Sequence, residues 1–330
     1  MKRRNFMTGL AGAALAWPLA THGQRDQVRR VAVLMGYPES DPEAHSRFLA
    51  FKEGLASFGW SEGRNVRFDV RWGGNNPIRA SALAKELVAL KPDVILANTT
   101  PATAALQRET RTISIVITLV ADPIGSGFVK SLSRPGGNIT GFLYLEATLV
   151  EKWLELLKEV APRIKQVAVM FNPETAPYIE KYYFQPLRNA AAKLGVRIFA
   201  ATVRSEAEVE QTFASLQQTA DSGVMVGVDS FMFLNRKRVV ALAAQYKVPA
   251  IYYLTLFVEE GGLIAYGVEA IEMFRNAARH VDRILRGAKP ENMPVEQPTR
   301  FELAVNNRTA RELGIRFPQS VLIRADKVIE

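Results

Sequence analysis

The sequence predicts an α/β protein of two doubly wound parallel-sheet lobes joined by a hinge, with a ligand cleft between them. Three observations predict it. First, Val31-Ala32-Val33-Leu34-Met35 followed by Gly36-Tyr37-Pro38-Glu39-Ser40 returns about 135 residues later as Val167-Ala168-Val169-Met170-Phe171 followed by Asn172-Pro173-Glu174-Thr175-Ala176. Second, each copy leads into a helix closed by glycine, at Phe58-Gly59-Trp60 and at Leu194-Gly195-Val196. Third, apolar β-branched runs alternate with amphipathic stretches along nearly the whole chain, an order that makes parallel sheets covered by helices on both faces. With 330 residues there is enough chain for two cores.

The elements follow in order. Arg30 to Met35 reads as a buried strand, and Phe48 to Leu55 as a helix with apolar residues at i, i+3 and i+7. Val66, Phe68, Val70 and Trp72 alternate as one face of a second strand. A helix over Ile78 to Leu90, a strand over Val94 to Ala97, a helix from Pro101 and a strand over Ile113 to Val120 come next. Ile139 to Leu143 closes the first lobe after the turn-rich Arg134-Pro135-Gly136-Gly137-Asn138. In the second lobe, helices are predicted over Leu149 to Val160, Ile179 to Leu194, Glu206 to Thr219 and Asn235 to Tyr246. They alternate with strands over Gln166 to Phe171, Val196 to Ala200, Gly223 to Val228 and Pro249 to Leu254. A last helix, Ile271 to Leu285, and a short strand, Phe301 to Val305, return across the lobes. The expected division is therefore discontinuous: 28–145 plus about 265–295 for lobe 1, and 146–264 plus about 296–330 for lobe 2.

Composition excludes several chemistries. Without cysteine there is no disulfide, thiolate metal site, cysteine nucleophile or lipid-modified N-terminal cysteine. Three histidines, His22, His45 and His280, make a histidine-based triad or metal cluster improbable. The formal charge of +9 is scattered, with no basic stripe interleaved with aromatics, so nucleic acid is not an expected partner. A mild positive excess suits an anionic or zwitterionic ligand, and equally serves solubility. Met1-Lys2-Arg3-Arg4-Asn5-Phe6-Met7 and the apolar stretch Thr8 to Ala20 have the shape of an export signal over 1–23, with a twin-arginine pattern. The mature chain is then expected to be soluble in a periplasm.

Ligands of open parallel sheets sit at the carboxyl ends of the strands. The loops there offer Tyr37, Trp72, Thr99, Thr100 and Asp122 from the first lobe, and Asn172, Glu174, Asp229 and Tyr253 from the second. Thr99 or Thr100 can cap a helix opened by Pro101, or leave its N-terminal N–H groups to a carboxylate. Asp229 can hold an ammonium group or cap the residues after it. Asp122-Pro123 reads as a turn as readily as a ligand contact. Trp72, Tyr37 and Tyr253 can stack on a ligand or pack the core. The aromatic run Tyr178 to Phe184 reads as a helix face in the core. No Gly-x-Gly-x-x-Gly follows the first strand and no Walker sequence occurs, so a nucleotide cofactor is not expected, nor any other.

Several passages carry a family resemblance. They are Phe58-Gly59-Trp60-Ser61-Glu62-Gly63-Arg64-Asn65-Val66, Asp122-Pro123-Ile124-Gly125-Ser126-Gly127-Phe128-Val129, Arg134-Pro135-Gly136-Gly137-Asn138-Ile139-Thr140-Gly141 and Gln297-Pro298-Thr299-Arg300-Phe301. With them the chain resembles the periplasmic substrate-binding proteins of ABC transporters, type I binding-protein fold, in the branch linked to tryptophan and tyrosine uptake. The resemblance implies a non-catalytic monomer whose lobes close around a small ligand and deliver it to an ABC permease in the inner membrane. It implies that Thr99, Thr100 and the amides after them receive a carboxylate and that Asp229 receives an amine. Tyr266 precedes a passage, Val268 to Met273, that departs from the Ser/Thr-rich loop of the group. Two other readings stand beside transport: an exported sensor presenting its ligand to a membrane receptor, and an exported two-lobed enzyme. The second finds no clear nucleophile–base pair in the expected cleft.

Overall fold

In the computed structural model, residues 28–146, 148–219 and 221–330 are described. The expected export signal lies outside them. The first lobe holds β1 (Arg29–Met35), α1 (Pro42–Ser57), β2 (Val66–Trp72), α2 (Pro77–Ala89), β3 (Val94–Asn98), α3 (Thr100–Glu109), β4 (Ser114–Val120) and β5 (Ile139–Leu143). The chain then crosses to α4 (Leu149–Val160), β6 (Gln166–Phe171), α5 (Tyr178–Leu194), β7 (Arg197–Thr202), α6 (Glu206–Gln218) and β8 (Ser222–Val226). Next come α7 (Ser230–Leu234), α8 (Arg236–Gln245), β9 (Ala250–Tyr252), α9 (Thr255–Glu259) and β10 (Ile264–Val268). The remainder is α10 (Ala270–Leu285), β11 (Phe301–Asn306), α11 (Asn307–Glu312), α12 (Gln319–Arg324) and β12 (Lys327–Ile329).

The helix ends follow their sequence chemistry. Asp41 caps α1 by accepting from the Ala44 N–H at 2.9 Å, with Pro42 in the first turn. Asn76 and Pro77 do the same for α2. Gly59 and Gly195, the two closing glycines, take φ of 90° and 62°, the left-handed region where a side chain is strained.

The two sheets repeat one topology. The first runs β2-β1-β3-β4-β5, all parallel, and the second runs β12-β11-β10-β9-β8-β6-β7. Read from its own first strand, β6, the second sheet has the same order as the first, with β11 and β12 added at its far edge. The echo in sequence is thus an echo in topology, and each sheet has its switch point between its first and third strands. The added β11 runs antiparallel to β10, the one antiparallel pairing among the described strands. The central strands β3, β6 and β8 are buried end to end and β1 from Val31 to Met35, which is why they read as continuous apolar runs.

Three segments link the lobes. The chain leaves the first sheet after β5, returns with α10, and leaves again before β11. Residues 265–268, grouped with the first lobe from sequence, belong to β10, which pairs with β9 and β11 in the second sheet, so the return begins at α10. That helix lies along α1. A Cβ at Gly54 would meet Arg275 O at 2.7 Å and Ala278 Cβ at 2.8 Å, so only glycine permits this approach. Trp60 Nε1 donates to Asp282 Oδ1 at 2.8 Å and fixes the far end of the pair. On its way out the chain bonds once more to the first lobe, where Glu296 N–H donates to Gly141 O at 2.9 Å. Among the described residues no helix is long and apolar enough to cross a membrane.

Candidate ligand site

The two switch points face each other across the lobes, and the loops that end β1, β3, β6 and β8 enclose one cavity. On the first wall Gly36 follows β1 and donates to Asn98 Oδ1 at 3.3 Å. A Cβ there would lie 2.3 Å from Thr99 Oγ1 and 2.9 Å from Asn98 O, so the β1 loop must carry glycine to let Thr99 in. Thr99 itself has φ 83°, a conformation costly for a β-branched residue. Leu119, at the end of β4, has φ 53°, and both residues line the cavity. Backbone strain of this kind persists where the surrounding structure over-determines it, commonly at binding sites.

The helix that begins here is uncapped. Thr99 makes no side-chain bond to the first turn of α3, Pro101 has no N–H, and Thr100 Oγ1 is buried with no hydrogen-bond partner among the described residues. The ordinary capping role open to Thr99 and Thr100 in the sequence is therefore not what they perform. The N-terminus of α3 keeps its partial positive charge and its free donors for the cavity.

Asp229 stands on the opposite wall, almost wholly buried. Its Oδ2 accepts from the Asn172 N–H at 2.7 Å. Its Oδ1 accepts from the Phe231 N–H at 2.9 Å and from the Thr175 hydroxyl. Burial raises its pKa to about 6, against the downward pull of these three donors. A carboxylate has about four acceptor positions, so one remains for a further donor. The caps Asp229 makes with Phe231 and Asn172 do not exhaust it.

Four tyrosines complete the walls: Tyr37, Tyr144, Tyr178 and Tyr253, all buried. Three of them are pinned by their hydroxyls. Tyr178 donates to Val228 O at 2.6 Å, Tyr253 to Asp229 O at 3.0 Å and Tyr144 to Tyr253 O at 3.3 Å. Desolvation holds all four phenols above their ordinary pKa, so they act as neutral donors and apolar faces. The enclosed space is about 20 Å³, room for about one water, so the lobes are closed on each other and must part to admit a larger molecule. Ser230 Oγ reaches Asn75 Oδ1 across the gap at 2.5 Å. A wider groove of about 590 Å³ lies at the amino ends of β6, β8 and β9, the wrong end of the sheet for a switch-point ligand.

Of the side chains expected from sequence, Tyr37, Thr99, Thr100, Asp229 and Tyr253 line this cavity. Trp72 packs instead on His45 and Phe48, with ring centroids at 4.8 and 6.5 Å. Asp122 closes its own turn by accepting from Gly125 N–H at 2.7 Å. Asn172 lies behind Asp229 and turns its Oδ1 to the Glu174 N–H, while the Glu174 carboxylate is exposed near Arg204 at 3.6 Å. Tyr266 is half-buried in β10 beside Phe301. Tyr144, Tyr178 and Thr175 line it as well and are not among the candidates the sequence offers. Tyr178 opens the aromatic run at the start of α5, a pattern that by itself indicates core.

Comparison with known proteins accords with this geometry. The family model described as ABC transporter substrate binding protein matches residues 37–329. A tyrosine-binding protein of Clostridioides difficile (strain R20291) is 28% identical over 287 residues, 87% of this chain and 80% of that one. A solved ABC domain in complex with L-Trp from Streptococcus pneumonia is 26% identical with a TM-score of 0.83, covering 91% of this chain and 99% of that one. The ligand-free, open structure of a substrate binding protein with adhesive properties from Clostridium difficile is 27% identical and covers 92% and 99%, yet its TM-score is 0.69. Although the open form is the more identical of the two, at 27% against 26%, the chain superposes better on the ligand-bound form, in keeping with its closed lobes.

Proposed function

The chain belongs to the ABC transporter substrate binding protein family, and from that premise we propose that it captures an amino acid, of the aromatic class, outside the cytoplasm for an ABC permease. The observation that carries the ligand class is the pairing of opposite polarities across one tyrosine-walled cavity. An uncapped helix end and the Thr100 hydroxyl stand on one side, and a desolvated carboxylate with a spare acceptor position stands on the other. A zwitterion answers both. Its carboxylate takes the α3 amides with Thr99 and Thr100, and its ammonium takes Asp229, replacing the water that burial removed. The four tyrosines then present π-faces to an aromatic side chain, three of them held in place by their hydroxyls. The related proteins that bind tyrosine and L-Trp support this choice.

Capture proceeds by parting and re-closing of the lobes, with no bond made or broken in the ligand. The leader over 1–23 directs the chain to a periplasm, where it works as a monomer that hands its ligand to the inner-membrane permease. The test is a thermal-shift and calorimetric screen of the twenty amino acids against the mature chain. Ligand at 100 times its Kd adds about 2.7 kcal/mol to stability. Stabilisation by L-Trp, L-Tyr or L-Phe and not by the corresponding decarboxylated amines is expected. No response to any amino acid would refute the reading.

A further inference from the structure

Outside the ligand cavity, a second set of contacts joins the lobes. Phe233 of α7, in the second lobe, lies between two guanidinium groups. Arg47 of α1, in the first lobe, is 4.4 Å from its ring centroid, and Arg236 of α8 is 4.6 Å from it. Arg236 Nη1 reaches back across the gap to Asp41 Oδ2 at 3.0 Å, while its Nε donates to Glu260 Oε1 at 3.0 Å within its own lobe. Asp41 and Arg236 are both buried, so their attraction is little screened. Arg47 differs. It is 1% exposed, and its Nε and Nη1 find no acceptor among the described residues. The faces of Phe233 and Tyr37, with the Tyr37 hydroxyl, compensate only part of the charge.

We propose that these groups are positioning residues for ligand capture, acting through the lobes: Asp41 and Arg236 latch the closed form, and Arg47 is the counterforce that opens it when the cleft is empty. Opening separates the buried pair but rehydrates Arg47. The two halves therefore have opposite signs. Removing one member of a buried ion pair is strongly unfavourable to the state that contains it, whereas replacing a desolvated charge that has no carboxylate partner and two unsatisfied nitrogens by an apolar group favours that state. The balance keeps the closed form accessible but dependent on ligand, as a population shift requires.

The inference goes beyond the ligand assignment and is tested without ligand. The chain has no cysteine, so Ile78→Cys on the first lobe and Lys181→Cys on the second, both exposed, accept a fluorophore pair cleanly. Single-molecule energy transfer on the ligand-free mature chain then reads the closed-to-open ratio. Asp41→Asn is the first variant, because asparagine still caps α1. It lowers the ratio about tenfold or more, and Arg236→Gln does the same from the other lobe. Arg47→Met raises the ratio by a similar factor, with Arg47→Leu as its second form. Shifts of both halves in one direction, or no shift in either, overturn the proposal. A separate titration with L-tryptophan shows faster dissociation in Asp41→Asn and slower dissociation in Arg47→Met. Absence of L-tryptophan binding to the unsubstituted chain counts against the ligand class and leaves the latch to be judged on the ligand-free ratios.

Discussion

Lowering the pH from 7.5 to 5 should weaken ligand binding about tenfold, through one residue. Burial lifts Asp229 to about 6, so it is ionised at pH 7.5 and mostly protonated at pH 5. A ligand ammonium needs the ionised form, so binding below pH 6 must expel one proton. The apparent Kd then scales as one plus the ratio of protonated to ionised carboxyl, which is close to 1 at pH 7.5 and about 11 at pH 5. Neither the carboxylate nor the ammonium of a free amino acid titrates in that window. Without ligand the sign is opposite. A carboxyl raised from 3.8 contributes stability that is fully present below its unfolded value and is lost as pH rises through 6. The loss is about 3 kcal/mol at most, at 1.36 kcal/mol per unit. Calorimetric titration of L-tryptophan at half-unit pH steps, with melting curves of the ligand-free chain in the same buffers, measures both. Asp229→Asn should bind about 2–5 kcal/mol more weakly and lose the pH dependence. A Kd that is flat from pH 5 to 8 in the unsubstituted chain would refute the ammonium assignment.

Three further outcomes are expected. Thr100→Val removes a hydroxyl with no hydrogen bond of its own, so ligand-free Tm should hold, while binding measured by calorimetry weakens by about 0.5–1.5 kcal/mol. Gly36→Ala sets a Cβ 2.3 Å from Thr99 Oγ1, and urea unfolding should show about 1–3 kcal/mol lost together with weaker binding. Gly267→Ala has no such give, since its Cβ would lie 1.9 Å from the Tyr253 carbonyl, and the urea midpoint should fall by more than in Gly36→Ala.

What could be read from the sequence was local. The strand cores of β1, β3, β6 and β8 announce themselves because each is buried on both faces, and the loops after them are where a switch-point ligand must sit. Thr99, Thr100 and Asp229 are legible for that reason. Tyr144 and Tyr178 were not, because an aromatic at a strand end or a helix start packs a core in most folds, and only the docking of two lobes turns these rings onto a cavity. Trp72 and Glu174 sit at equally suggestive loop positions, yet one packs under α1 and the other points to solvent. The five-residue helices α7 and α9 are too short for any period to show. Arg47 and Asp41 precede the helix expected over Phe48 to Leu55 and carry no local signal of burial. In the fold Phe233, 186 positions after Arg47, packs on that guanidinium, and Arg236 pairs with Asp41.

The packing of α10 along α1 bears on how the molecule is made. A ribosome releases α1 early, but the helix that covers it comes after nearly all of the second lobe. Phe51 can pack on Phe68 of β2 early, but the side of α1 around Gly54, where Arg275 and Ala278 of α10 dock, stays uncovered through most of synthesis. The second sheet emerges from β6 to β10 as one block before α10, so the lobe encoded first cannot be completed until most of the second has been made. A chain cut after β5 should therefore aggregate, whereas residues 28–146 joined by a short linker to α10 and the segment after it should fold as an isolated half.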